Sequence, residues 1–91
     1  MDFPFEEEKI DEYNFIRTFP ADVDEMDLIW HADKENRIIT VLKGNGWKFQ
    51  FDEELPIEMT EGLSISIFKG RIHRVIKGHG QLKIELQKTT L

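Results

Sequence analysis

The sequence predicts an all-β domain, a barrel or sandwich of short antiparallel strands, and three observations carry that prediction. From Leu28 onward the apolar residues recur with a period of two, the signature of strands with one face buried. The runs are short, and the breaks between them carry turn residues: Gly44-Asn45-Gly46, Asp52-Glu53-Glu54, Thr60-Glu61-Gly62, Lys69-Gly70 and Gly78-His79-Gly80. No amphipathic helix of useful length follows residue 28. Strands at this spacing with glycine turns suit a barrel or sandwich.

Taken in order, residues 1–12 form an acidic arm whose Phe3, Phe5 and Ile10 are apolar enough to dock on a sheet or a partner. Residues 13–19 alternate as a strand that stops at Pro20, and an acidic loop or short turn follows. Strands are then expected at 28–31, 38–43, 47–52, 56–59, 63–68, 71–77 and 82–87. Trp47, Phe49 and Phe51 share one strand face, as do Leu63, Ile65 and Ile67, and both sets are expected in the core. Ser64 and Ser66 fall on the opposite face. Trp30 should point away from His31, towards the core or a dimer contact.

The 91 residues make one domain: residues 1–27 as acidic arm and first strand, 28–91 as the barrel. Cysteine is absent, so disulfides and thiolate metal sites are excluded. There is no signal-like start and no apolar run long enough to cross a bilayer, which suggests a soluble, cytoplasmic protein with no membrane partner. The net charge is -6, with ten acids against Lys9 and Arg17 in residues 1–27 and eight acids against ten bases beyond. That balance argues against nucleic acid, whose binders need cations to displace phosphate counterions. Lys69, Arg71, Arg74, Lys77 and Lys83 read as solvated outer faces of strands.

The chemistry-bearing residues are His31, Asp33, Arg37 and His73. His31 and Asp33 are two apart on an extended segment, so their side chains leave the same face with Cα atoms about 6.5–7 Å apart. His73 opens another strand after the Lys69-Gly70 turn. If that strand lies beside the first, His31, Asp33 and His73 form a two-histidine, one-carboxylate set, which suits Fe(II), with Zn, Mn or Ni as alternatives. Arg37 weighs against the ion: a guanidinium about 6 Å away opposes a divalent charge by about 5 kcal/mol at an effective dielectric near 20. Zinc sites of about 10–16 kcal/mol absorb such a loss, and weaker ions suffer more. Arg37 can instead pair with Asp33 or Glu35. Two metal-free readings stand beside the metal site: a hydrogen-bonded cluster closing the barrel mouth, and an anion site gripped by the Arg37 fork. His79 reads as an exposed turn tip, and Glu53 and Glu54 as solvated hairpin residues.

The segment 31–80, a little over half the chain, resembles a cupin. That family's first motif, H-x-H-x(3,4)-E-x6-G, falls on His31, Asp33, Arg37 and Gly44. Its second, G-x5-P-x-G-x2-H-x3-N, falls on Gly62, Phe68, Gly70, His73 and Lys77. The glycine spacing and Val41-Leu42-Lys43-Gly44-Asn45-Gly46 match the family well, and the site residues match by half. The resemblance implies a jelly-roll barrel of six or more strands with a site inside it, often in a homodimer, here through the arm and an aromatic face. His31 and His73 inherit ligand positions and Asp33 can fill one, whereas Arg37 and Lys77 cannot. Two functions follow as expectations. One is a binder of a small ligand, anions included, with His31, Asp33, Arg37 and His73 lining a degenerate metal site. The other is a metal-dependent oxygenase or isomerase of the Fe(II) type, in which Arg37 positions an acidic substrate.

Overall fold

In the computed structural model, which describes residues 3–89, the chain forms two antiparallel sheets that share one core. Met1, Asp2, Thr90 and Leu91, the ends of the predicted arm and barrel, lie outside the described residues. The larger sheet has the strand order β1 (Glu6–Lys9), β2 (Asn14–Phe19), β8 (His79–Thr89), β3 (Asn36–Asn45) and β6 (Ser64–Ile67). The smaller has the order β5 (Ile57–Glu58), β4 (Lys48–Phe51) and β7 (His73–Ile76). The acidic loop holds one 3-10 turn, Glu25–Asp27, capped by the Asp24 carboxylate, which accepts from Met26 N–H. No helix among the described residues is long and apolar enough to cross a membrane.

Strict alternation sets the faces. In β8, Leu82, Ile84 and Leu86 are buried while Lys83, Glu85 and Gln87 are exposed. Trp47, Phe49 and Phe51 enter the core as expected, with Ile65 and Ile67 opposite and Ser64 and Ser66 outside. Each such buried side chain stabilises the fold by about 1.5–3 kcal/mol. Between residues 3 and 27, two strands are built into the larger sheet. β1 pairs with β2, β2 pairs with β8, and Phe15, Phe19 and Val23 belong to the core.

Four details differ from the sequence expectation. Residues 28–31 make no strand: only His31 is in register, as a single rung against His73. Trp30 is not in the core; it is 41% exposed, with the Arg74 guanidinium 4.3 Å from its ring centroid. β3 runs through Gly44 and Asn45 by way of two register shifts and turns only at Gly46, whose φ is 73°. The Gly78-His79-Gly80 stretch is no turn tip either, since His79, although exposed, already pairs with Asn45 at the start of β8. Gly78 is needed for close approach: a Cβ there would stand 2.2 Å from Trp47 N and 2.4 Å from Gly46 C.

Candidate metal centre and cavity

His31 and His73 are brought together by a reciprocal backbone pair. His31 N–H donates to His73 O at 3.0 Å and His73 N–H donates to His31 O at 2.9 Å. Two further bonds staple the segment entering β3, and the first residue of β3, to the turn before β7: Gly70 N–H to Asp33 O at 2.9 Å and Lys69 N–H to Asn36 Oδ1 at 2.8 Å. Gly70 supplies the φ of 80° that lets the chain reverse into β7. The supposition that His73 lies beside the His31 segment is thus met, through one rung rather than a paired strand.

The rung sets the imidazole rings 4.4 Å apart at 61°. His31 Nδ1 lies 3.0 Å from Ile29 O, and His73 Nδ1 lies 2.7 Å from Arg71 O. A carbonyl only accepts, so each Nδ1 carries the hydrogen and each neutral ring keeps its lone pair at Nε2. Both free nitrogens face Asp33. His73 Nε2 is 3.3 Å from Asp33 Oδ2, and His31 Nε2 is 3.9 Å from Asp33 Oδ1. Phe49 stacks on His73 at 5.3 Å and 21°, fixing that ring from the core side.

Asp33 has a side chain only 8% exposed. Burial pushes its carboxyl pKa up, but in metal-free protein His73, donating and charged whenever its ring is protonated, together with the Arg37 charge and a protonated His31, more than offsets that and holds it below the usual value of 3.8. Its two oxygens differ. Oδ1 is 3.2 Å from Arg37 Nη1. Among the described residues Oδ2 is buried and accepts no geometrically sound hydrogen bond, although His73 Nε2 stands 3.3 Å away, close enough to donate to it when the ring is protonated. A buried carboxylate oxygen left without a donor is costly unless something else satisfies it.

Arg37 is fully engaged: Nε and Nη2 donate to Glu35 Oε1 at 2.9 and 2.6 Å, and Nη1 faces Asp33. Its charge, counted from sequence against a metal, is therefore balanced by a second acid, Glu35, which Lys88 Nζ also approaches at 3.7 Å. Lys77 lies away from the cluster and donates to Val23 O at 2.8 Å. Glu53 and Glu54 are exposed as expected, and Glu54 pairs with Arg71.

Ligand atoms of His31, Asp33 and His73 all lie within 4.8 Å of one another. The donor chemistry fits a divalent ion: two imidazoles held in one tautomer by carbonyls, and an orphaned carboxylate oxygen between them. The cluster forms one wall of a cavity of about 440 Å³, whose other walls are mostly apolar, among them Phe19, Ile39, Phe49, Ile84 and Leu86. Arg37 lines this cavity, and so do Arg17 and Asp27, which were not identified from sequence. The signal for Arg17 was present: in β2 it alternates with Phe15 and Phe19 and must share their inward face.

An antiparallel two-sheet barrel with two histidines and an aspartate on its inner wall defines the class, a cupin fold with a candidate metal centre. Solved structures agree on the fold. A cupin domain from Bordetella pertussis Tohama I superposes with a TM-score of 0.63 at 16% identity, over 99% of each chain. A cupin-2 domain containing protein from Shewanella frigidimarina gives 0.65 at 15%, over 94% of this chain and 79% of that one. FeII HppE gives 0.64 at 18%, over 84% of this chain but 41% of that one. No protein-family model and no curated protein matches the chain.

Proposed function

We propose that this chain binds one divalent metal ion through His31, Asp33 and His73 and a small organic molecule beside it in the apolar cavity. The observation that carries the reading is the pair of Nδ1–carbonyl contacts, which leave both Nε2 atoms of the neutral rings as donors to an ion beside a carboxylate whose buried Oδ2 has no hydrogen bond among the described residues. Carbonyl partners of this kind orient metal-ligating histidines and raise their basicity. Three protein ligands leave coordination positions for an exogenous molecule, and a divalent ion there would supply Lewis acidity to an oxygen of that molecule. The cavity volume suits a small ligand.

The residues divide the remaining tasks. Phe49 and the Arg71 carbonyl fix the His73 ring; the Ile29 carbonyl fixes His31. Arg37 holds Asp33 by Oδ1 and leaves Oδ2 for the ion. The apolar walls cover the apolar part of the bound molecule. Catalysis as an oxygenase or isomerase is the second reading, favoured by the donor set of non-haem Fe(II) sites and by the fold shared with FeII HppE.

The test is elemental analysis after anaerobic reconstitution with Fe(II), and in parallel with Zn, Mn and Ni. Close to one ion per chain is expected for one of these metals, with retention lost in His31→Ala and His73→Ala. Uptake by the wild type that is no greater than by the two alanine variants would falsify the metal site.

A further inference from the structure

We propose that Arg17 anchors the carboxylate of a small organic acid whose apolar body lies along the cavity and whose other end faces His31, Asp33 and His73. This names a ligand class for the site proposed above, and it rests on that reading only for what the ligand's far end meets.

Arg17 sits on the inward face of β2 between Phe15 and Phe19, and its side chain is 15% exposed. Glu7, its register partner on β1, accepts from Nε at 2.5 Å, and the guanidinium lies 4.2 Å from the Phe5 ring centroid. Among the described residues neither Nη makes a hydrogen bond. Arg37, the other arginine of the cavity, has all three nitrogens directed to Glu35 or Asp33. The anion-gripping role read for Arg37 from sequence thus fits Arg17 better.

The register supplies the body of the ligand. On β8, Ile84 stands beside Arg17, and Leu86 stands between Phe15 and Ile39. Lys88, beside Arg37, is two positions further on. With strands about 4.8 Å apart and a rise of about 3.4 Å per residue, the Cα atoms of Arg17 and Arg37 are about 17 Å apart. The floor between them is Ile84, Leu86 and Ile39. A single planar fork already half-neutralised by Glu7, with Asp27 also on the cavity wall, suits one negative charge rather than a phosphate dianion.

The test compares hexanoate with its uncharged counterpart hexanamide on EDTA-treated protein, by amide NMR titration. Without metal, a preference for the carboxylate reports the cationic end alone. Hexanoate is expected to bind about tenfold tighter than hexanamide, as a charge-assisted pair in place of a neutral one implies. Arg17→Met should bring the ratio to about one. Glu7→Gln, at an edge strand, removes the competing carboxylate and should widen the ratio severalfold. A wild-type ratio near one, a ratio that survives Arg17→Met, or one that fails to widen in Glu7→Gln overturns the proposal, and Glu7→Gln decides if Arg17→Met does not fold. The ratio is read on metal-free protein and metal uptake is read separately by elemental analysis, so failure of the metal reading and failure of this one are separable.

Discussion

His31 and His73 are held in the same way: each donates its Nδ1 hydrogen to the carbonyl two residues before it, while their backbones exchange N–H···O bonds across one rung. The repeat matters because it sets both tautomers at once. In metal-free protein at a pH where the rings are neutral, long-range proton–nitrogen spectra should show the Nδ1–H form for both histidines. Divalent metal should then move both Nε2 resonances together. An Nε2–H tautomer at either ring would remove the basis for a preset donor pair.

Arg37 and Glu35 should act on the metal in opposite directions. An unbalanced guanidinium about 6 Å from a divalent ion opposes it by about 5 kcal/mol at an effective dielectric near 20, and solvent screening reduces that figure. Glu35→Gln leaves Arg37 with Asp33 as its only acid, so it competes with the ion for that carboxylate and zinc affinity should fall by about ten- to hundredfold. Arg37→Gln leaves Glu35 facing only the half-exposed Lys88 and should tighten zinc, by a smaller factor. The double variant should return to within a few fold of wild type. Competition titration with a zinc chelator reads all four proteins, and equal affinities throughout would show that the pair does not set the field at the site.

Asp11 gives a pH prediction at the turn between β1 and β2. Its carboxylate accepts from Tyr13 N–H, Asn14 N–H and Asn14 Nδ2, and these bonds hold its pKa below the usual 3.8. A folded-state pKa below the unfolded value means that its stabilisation is fully present above about pH 3.8 and is lost as pH falls through the folded value. The Asp11 carboxyl carbon should therefore titrate with a midpoint below 3.8. Amide protection at Tyr13 and Asn14 should weaken over the same range and be insensitive to it in Asp11→Asn.

How much of this was legible in the sequence depended on how strictly each segment alternates. Phe49 and Phe51, or Leu82, Ile84 and Leu86, leave one reading for the buried face, and the structure buries them. Ile29, Trp30 and His31 follow Leu28 with no such alternation, and only His31 pairs. The metal candidates were legible because a two-residue spacing and a glycine turn constrain direction locally. The pairing of Arg17 with Glu7 was not, because ten residues and a strand register separate them. The alternation with Phe15 and Phe19 gives the face of Arg17, but not what it meets there. Gly78 was misread for a related reason, since a glycine required by packing has the same sequence signature as one required by a turn.

That distinction can be measured. Gly78→Ala places a methyl group 2.2 Å from Trp47 N and 2.4 Å from Gly46 C, both backbone atoms that a side-chain rotation cannot clear. Overpacking against a core typically costs about 1–3 kcal/mol, and an obstruction made of backbone belongs at or above the top of that range. Gly62→Ala is the matched control. A Cβ there meets nothing within 4 Å, but φ is 87°, so the cost is backbone strain alone, about 1–2 kcal/mol. Urea denaturation followed by tryptophan fluorescence should therefore place Gly78→Ala well below Gly62→Ala in stability. The reverse order would mean that the Gly78–Trp47 approach relaxes freely, and that the glycine serves the chain's direction after all.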